Sequence, residues 1–224
     1  MVRFYVSLTA QCNVECPFCC MWSSPRKQTS ITESQVADIL SSSPEDFEFQ
    51  LEGGEPLLHP QFFDFIDMAI ETGRCKKIVV NTNGLILRGF MPRLIALSRQ
   101  HKLPIVIKRS LNYHLLSRDP HIFDRSAHLL SLVEDEQFID VMFNVRIRHG
   151  EEDQQLIVEP LMKYGLFEAS NVFFLQRYGK FEDEEEYDEP FIRQNIDDWW
   201  LYASDGTCFD KDLVARSKYE RTLQ

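Results

Sequence analysis

The chain alternates short apolar segments with longer amphipathic ones, and this alternation constrains its fold more than any other feature. The short segments have the length and residue types of β-strands, and the long ones have the pattern of helices. Predicted strands cover residues 2–8, 47–54, 76–84, 103–111, 138–147 and 171–179. Predicted helices cover residues 32–43, 59–73, 91–102, 119–135 and 151–165. Thr32 and Gln35 predict a capping box at the start of the first helix, and Pro160 is expected to weaken or kink the middle of the last. Five strand–helix units and a sixth strand predict parallel pairing with the helices outside.

Six strands are two fewer than a complete eight-stranded barrel contains. The predicted fold is therefore α/β, a partial (β/α)6 TIM-type barrel with a short C-terminal extension, and an open doubly wound sheet is the alternative. In either architecture, ligands bind at the carboxyl ends of the strands. The informative loops follow those ends, with cysteines after the first strand, Gly53 and Gly54 after the second, and Asn83-Gly84 after the third.

The composition changes beyond residue 180. Residues 181–190 form the acidic run FEDEEEYDEP, which we interpret as a solvated linker, with docking of a partner protein as the alternative. The residues after it carry aromatics, an Asp205-Gly206 turn and Cys208. We therefore predict a core domain over residues 1–180, followed by an acidic linker and C-terminal extension over residues 181–224.

Charge and hydropathy argue against two classes of partner. The formal net charge is −11, and an acidic surface repels phosphates, so we expect no binding to nucleic acid. No apolar run approaches the roughly 18 residues of a membrane span, and the N-terminal run meets a cysteine where a signal-peptide cleavage site would lie. We expect a cytoplasmic protein without a membrane partner. In that reducing compartment six cysteines do not indicate disulfides.

Four cysteines lie within nine residues, in the stretch CNVECPFCC. Cys12, Cys16 and Cys19 have the spacing C-x3-C-x2-C, and three thiolates on one loop can hold three corners of a four-iron cluster, which leaves one iron open. Zinc is the alternative, but structural zinc sites usually pair two separated C-x2-C knuckles, and this sequence has one. We interpret Cys20 as a small packing residue behind the loop.

With these cysteines and the loops that follow them, the chain resembles the radical S-adenosylmethionine (radical SAM) enzymes. The resemblance rests on the cysteine motif, on GGEP at 53–56 where the second strand ends, and on NTNG at 81–84 after the third strand. It extends over residues 2–179, and we expect a short member without an auxiliary-cluster (SPASM-type) domain. It implies a [4Fe-4S] cluster on the three motif cysteines, with S-adenosylmethionine (SAM) bound at the open iron.

The resemblance also assigns cofactor contacts outside the cysteines. It implies that the GGEP turn binds the amino group of SAM, that its glycines let the backbone approach a ligand, and that Glu55 complements the ammonium charge. The expected cofactor-binding residues are Phe18, Gly53, Gly54, Glu55, Asn83, Ser110 and Arg146. Phe18 is expected beside the adenine. Cys208 is a candidate hydrogen-atom donor, with a buried anchor of the tail as the alternative.

The implied chemistry is one-electron cleavage of SAM to methionine and a 5′-deoxyadenosyl radical, which abstracts hydrogen from a small-molecule or peptide substrate. Sensitivity to oxygen and an electron donor such as flavodoxin or ferredoxin follow from the same resemblance. A glycyl-radical-enzyme activase, a non-catalytic iron–sulfur or zinc module, and a partner subunit that docks through its acidic tail are the alternatives. The sequence does not identify the substrate, because one fold serves many reactions.

Overall fold

The computed structural model describes residues 1–16, 19, 21, 23–146, 154–166, 172–175, 199–202, 207–209 and 215–218. The chain forms two compact units, one made of residues 1–81 and 192–224 and the other of residues 82–191. Both units contain parallel strands. Within the described residues, no helix has the length and apolar character needed to cross a membrane.

The predicted strands and helices occur in the predicted order, and a short helix after the fourth strand and three strands near the C-terminus are additional. The strands are β1 (Val2–Thr9), β2 (Phe47–Gly53), β3 (Cys75–Thr82), β4 (Ile105–Asn112), β5 (Ile139–Arg146), β6 (Val172–Leu175), β7 (Trp199–Tyr202), β8 (Thr207–Phe209) and β9 (Ala215–Lys218). The helices are α1 (Glu33–Ser41), α2 (Phe62–Glu71), α3 (Met91–His101), α4 (Tyr113–Leu116), α5 (Ile122–Val133) and α6 (Glu159–Lys163). Short 3-10 turns cover Pro56–Leu58 and Leu87–Gly89, and a π-helical segment covers Gln154–Val158.

In the first unit, β1 lies at the centre of a sheet built from both ends of the chain. It pairs in parallel with β2, which pairs in parallel with β3. On its other side it pairs in parallel with β7, and β7, β8 and β9 continue the sheet in antiparallel order. No strand was predicted in the C-terminal extension, because segments of three or four residues are too short to show a two-residue period. The extension therefore enlarges the N-terminal sheet.

Side-chain hydrogen bonds mark the start of α1 and the turn that precedes α2. The predicted capping box of α1 is confirmed, because Thr32 Oγ1 accepts from the Gln35 N–H at 3.3 Å and Gln35 Oε1 accepts from the Thr32 N–H at 2.9 Å. Helix α2 begins at Phe62, three residues later than predicted. The ring Nδ1 of His59 accepts the Gln61 N–H at 3.1 Å, which holds residues 59–61 in a turn before the helix.

In the second unit, β4 pairs in parallel with β5, and β5 pairs in parallel with β6. The helix predicted over 119–135 is shorter and begins at Ile122, because Asp119 Oδ1 accepts the His121 N–H at 3.2 Å and forms a turn there. The predicted disturbance at Pro160 is also present, since a π-helical segment changes to α6 one residue before it. Parallel strands alternating with helices have the arrangement of the predicted partial barrel.

Candidate functional site

The three motif cysteines lie on one loop after β1. Cys12 is buried, Cys16 and Cys19 are half-buried, and none of the three is part of a disulfide bond. The Cys19 N–H donates to the Cys16 carbonyl at 3.1 Å, so the C-x2-C pair forms a tight turn. Within the part of the chain that the structure describes, no group of three or more His, Cys, Asp or Glu side chains is positioned to hold a metal ion. The structure thus places the thiols on a common loop without gathering them into a ligand set.

The segment after the cysteine loop returns along β1 and closes the loop at its base. The Ala10 N–H donates to the Thr29 carbonyl at 2.8 Å, and the Cys12 N–H donates to the Ser24 carbonyl at 3.2 Å. Ser30 Oγ donates to Thr9 Oγ1 at 2.9 Å. Sequence reasoning missed these supporting residues. A serine- and threonine-rich stretch next to the motif was visible, but isolated bridges leave no periodic pattern.

The glycines of the GGEP turn pack against the backbone just before Cys12. The Gly54 N–H donates to the Thr9 carbonyl at 2.7 Å, and the Glu55 N–H donates to the Gln11 carbonyl at 2.9 Å. A Cβ on Gly54 would lie 2.2 Å from the Gln11 carbonyl oxygen. A Cβ on Gly53 would lie 2.5 Å from the Thr9 carbonyl oxygen. Gly53 also has a φ of +126°, which favours glycine. The close approach seen here is therefore to the base of the cysteine loop.

Glu55 is completely buried at the start of the 3-10 turn Pro56–Leu58. Its Oε1 accepts the Leu57 N–H at 3.2 Å, which orients the carboxylate within the turn. His59 follows the turn. Its Nδ1 accepts a hydrogen bond and so carries no proton, which leaves Nε2–H to donate to the Ile31 carbonyl at 3.1 Å. Burial lowers the pKa of His59 and so favours this neutral form. His59 thus links the GGEP turn to the segment that closes the cysteine loop.

One face of the sheet formed by β1, β2 and β3 carries polar side chains that lie beside one another on neighbouring strands. Lys77 Nζ lies 3.4 Å from Glu48, and Arg3 Nε lies 3.9 Å from it on the other side. Nearer the cysteine loop, Asn81 Nδ2 donates to Glu52 Oε1 at 2.9 Å. Further polar residues on this face are Tyr5, Ser7 and Gln50, of which Ser7 Oγ and Gln50 Oε1 are buried without a hydrogen-bond partner in the described structure.

Sequence reasoning missed this polar face. The alternation in β2 predicts one buried face and one solvated face, but Glu48 and Gln50 are only 4% and 2% exposed. A strand of a parallel barrel is covered on both sides, so polar residues at alternate positions can be internal. Burial, followed by the charge of Glu52, raises the pKa of Tyr5 to about 12. Tyr5 is therefore a neutral hydroxyl near these carboxylates at any physiological pH.

Three predicted cofactor contacts lie in the second unit. Asn83 is buried, and its Oδ1 accepts the Leu85 N–H at 3.0 Å, which shapes the Asn83-Gly84 turn. Ser110 is half-buried on β4, in register with Asn144 on β5. Arg146 ends β5, and its side chain lies outside the described residues. Of the other predicted positions, Phe18 lies outside the described residues. Cys208 is described only as a backbone position in β8.

Comparison with known proteins identifies relatives of the sequence. A model of the Radical SAM superfamily matches residues 6–125. The GTP 3′,8-cyclase of Trichormus variabilis (strain ATCC 29413 / PCC 7937) is 29% identical over 127 residues, which cover 54% of this chain and 36% of that protein. The GTP 3′,8-cyclase of Chlorobaculum tepidum (strain ATCC 49652 / DSM 12025 / NBRC 103806 / TLS) is 27% identical over 92 residues, which cover 40% of this chain and 28% of that protein. The match thus spans about a third of these relatives.

Solved structures confirm the predicted fold class. Native anSMEcpe with bound AdoMet and Cp18Cys peptide aligns with a TM-score of 0.65 at 13% identity, covering 99% of this chain and 79% of that one. Streptococcus suis SuiB bound to precursor peptide SuiA aligns with a TM-score of 0.50 at 12% identity, covering 99% and 63%. At such low identity the likeness shows the fold alone, which is the predicted α/β partial barrel.

Proposed function

The chain belongs to the radical SAM superfamily of enzymes, and from this premise we propose that it cleaves SAM reductively at a [4Fe-4S] cluster and abstracts hydrogen from a substrate. The observation that carries the proposal is the attachment of the loop with the three motif cysteines to the GGEP turn through two backbone hydrogen bonds. Because these bonds join the proposed cluster ligands to the proposed SAM-binding turn, both are held at a fixed spacing.

The three motif cysteines have the donor chemistry of an iron–sulfur cluster, although the structure does not gather their thiols around one point. Cys12, Cys16 and Cys19 lie on one loop outside any disulfide, and thiolates are the usual ligands of such clusters. The hydrogen bond from the Cys19 N–H to the Cys16 carbonyl folds the backbone into a turn, which brings these two cysteines together. When bound, a cluster with three protein ligands supplies an open iron for SAM and the electron that cleaves it to methionine and a 5′-deoxyadenosyl radical.

The residues around the loop have supporting roles in this proposal. The buried carboxylate of Glu55 complements the ammonium group of SAM, and its bond to the Leu57 N–H keeps it oriented. Gly53 and Gly54 allow the turn to press against residues 9–11, where a side chain would force the two segments apart. We further assign SAM contacts to Phe18, Asn83, Ser110 and Arg146, and a hydrogen-donor role to Cys208.

The substrate class in this proposal is a small molecule or a peptide. The relatives are named for a reaction of GTP, and both aligned structures hold peptides. The polar face of β1–β3 supports a substrate with hydrogen-bonding groups. The proposal includes a core over residues 1–180, an extension over residues 181–224, a flavodoxin or ferredoxin as electron donor, a cytoplasmic location and sensitivity to oxygen.

The reaction is tested by anaerobic reconstitution of the wild-type chain with iron and sulfide. After reduction with dithionite and addition of SAM, we expect 5′-deoxyadenosine and methionine in equal amounts, measured by chromatography with mass detection. A chain that carries four irons and four sulfides and still forms no 5′-deoxyadenosine would contradict the proposed reaction. An oxidised sample of the same preparation is the control, since it lacks the required electron.

A further inference from the structure

Arg109 is a fully buried arginine that the proposed reaction does not use. It lies on β4 between Ile107 and Leu111 on the strand face that packs against helices, and its side chain is 0% exposed. Ser110, the next residue, points to the opposite face because side chains alternate along a strand. Burying a guanidinium costs free energy unless ion pairs and hydrogen bonds compensate for the lost hydration. The groups around Arg109 therefore show which parts of the fold it connects.

The guanidinium connects β4 to α5 and to the turn before it. Nη1 donates to Ser126 Oγ at 2.7 Å, and Ser126 Oγ donates in turn to the Ile122 carbonyl at 2.6 Å. Nη2 lies 3.9 Å from Asp119 Oδ2, which also lies 3.4 Å from Arg125 Nη1. Burial lowers the pKa of Arg109 to about 10, and the Asp119 charge acts in the opposite direction. Arg109 is therefore cationic at neutral pH.

The stem of the same side chain runs directly against the Asn83-Gly84 turn. A Cβ on Gly84 would lie 2.4 Å from Nε of Arg109 and 2.9 Å from its Cδ and Cγ. Gly84 has a φ of +76°, and its N–H donates to Thr82 Oγ1 at 3.0 Å. The turn therefore requires glycine both for its backbone conformation and for the passage of Arg109. Arg109 forms the surface on which this turn rests.

We propose that Arg109 is a positioning residue for SAM binding, which holds the Asn83-Gly84 turn so that Asn83 is presented to the cofactor. This inference rests on the proposed function, because SAM and the contact from Asn83 belong to it. Arg109 itself does not touch the ligand, since it lies on the helix side of β4. Its effect passes through the turn, and the ion pair with Asp119 and the bond to Ser126 hold the guanidinium in place.

The test compares R109M with R125M in the reduced, reconstituted enzyme, by the rate of 5′-deoxyadenosine formation as a function of SAM concentration. R125M is the matched control, because Arg125 also forms an ion pair with Asp119 but its side chain is exposed. We expect R109M to raise KM for SAM about tenfold, the effect of losing roughly one hydrogen bond, with kcat per cluster nearly retained. R125M should leave KM within about twofold, and R109K, which keeps the charge, should fall between them.

A merely structural role would lower the folded fraction, and with it the apparent kcat, while KM of the remaining folded enzyme stayed unchanged. If R109M does not fold, S126A decides the question, because it removes the 2.7 Å bond with a small change in volume. Its KM should rise about threefold, a fraction of one hydrogen bond.

A double-mutant cycle between N83A and R109M tests the route through the turn. If Arg109 acts through Asn83, the two effects on KM are less than additive. Unchanged KM values in R109M and S126A, or strict additivity in the cycle, would overturn the inference while wild-type SAM cleavage left the proposed function intact. A wild-type chain that cleaves no SAM would instead contradict the proposed function.

Discussion

Replacing Gly54 with alanine is expected to separate the GGEP turn from the base of the cysteine loop. A Cβ at this position would lie 2.2 Å from the Gln11 carbonyl oxygen and 2.6 Å from its carbon. Both are backbone atoms, so no side-chain rotation relieves the overlap. The φ of Gly54 is not in the left-handed region, and the expected effect therefore comes from the overlap alone.

The magnitude follows from the bonds that the separation weakens. The Gly54 N–H bond to the Thr9 carbonyl is 2.7 Å long and the Glu55 N–H bond to the Gln11 carbonyl is 2.9 Å long. Each contributes about 1 kcal/mol. Overpacking a close contact costs about 1–3 kcal/mol. A partial separation of the two segments relieves the steric overlap but weakens the hydrogen bonds, so the two costs do not add in full. We therefore expect the free energy of unfolding to fall by about 2–4 kcal/mol in G54A.

The assay is urea unfolding followed by circular dichroism, with G89A as the matched control. A Cβ on Gly89 meets no atom within 4 Å, so the same chemical change should alter stability by less than about 0.5 kcal/mol. We also expect less iron in G54A after reconstitution, since the loop that carries the cysteines loses its attachment. Equal stability of G54A and G89A would refute the reasoning.

Three further outcomes are expected. T32A should lose about 1 kcal/mol of unfolding free energy in urea titrations, because the capping box of α1 is removed, and an unchanged midpoint would contradict this. In the iron-free chain at pH 8, iodoacetamide should modify Cys75 far more slowly than Cys19, as followed by peptide mass spectrometry, because burial raises the pKa of the Cys75 thiol to about 12. Burial and Glu52 raise the pKa of Tyr5 from 10.0 to about 12, so stability present below pH 10 should be lost as the pH rises to about 12. The wild type should lose stability relative to Y5F across that interval, and parallel curves would contradict the assignment.

Element order and type were predictable because each strand of the core is long enough to show its pattern. The strands from β1 to β6 and the cap of α1 at Thr32 lie within a few residues of their predicted positions. Strands β7 to β9 were not predictable, since they contain three or four residues and gain stability from pairing with a distant segment. The burial of Glu48 and Gln50 was missed because alternation alone does not show that both faces of a strand are covered.

The candidate site was predictable where chemistry determines residue type. The cysteine spacing and GGEP were identifiable from the sequence, and the structure places the two loops in contact through Thr9 and Gln11. The reason for Gly54 was not predictable, because the atoms it approaches belong to a segment more than forty residues earlier. The sequence gives no reason to single out Arg109 within its strand. Its side chain packs against Gly84 only in the folded chain.

The claim that Cys12, Cys16 and Cys19 hold the cluster is tested most directly by counting iron in reconstituted variants. C16A should bind far less than four irons per chain and lack the broad absorbance of a four-iron cluster. C75A is the matched control, because Cys75 is a buried thiol after α2 whose Sγ lies 3.5 Å from the Lys77 carbonyl oxygen. It should retain wild-type iron. A C16A chain with as much iron as C75A would contradict the assignment of the three ligands.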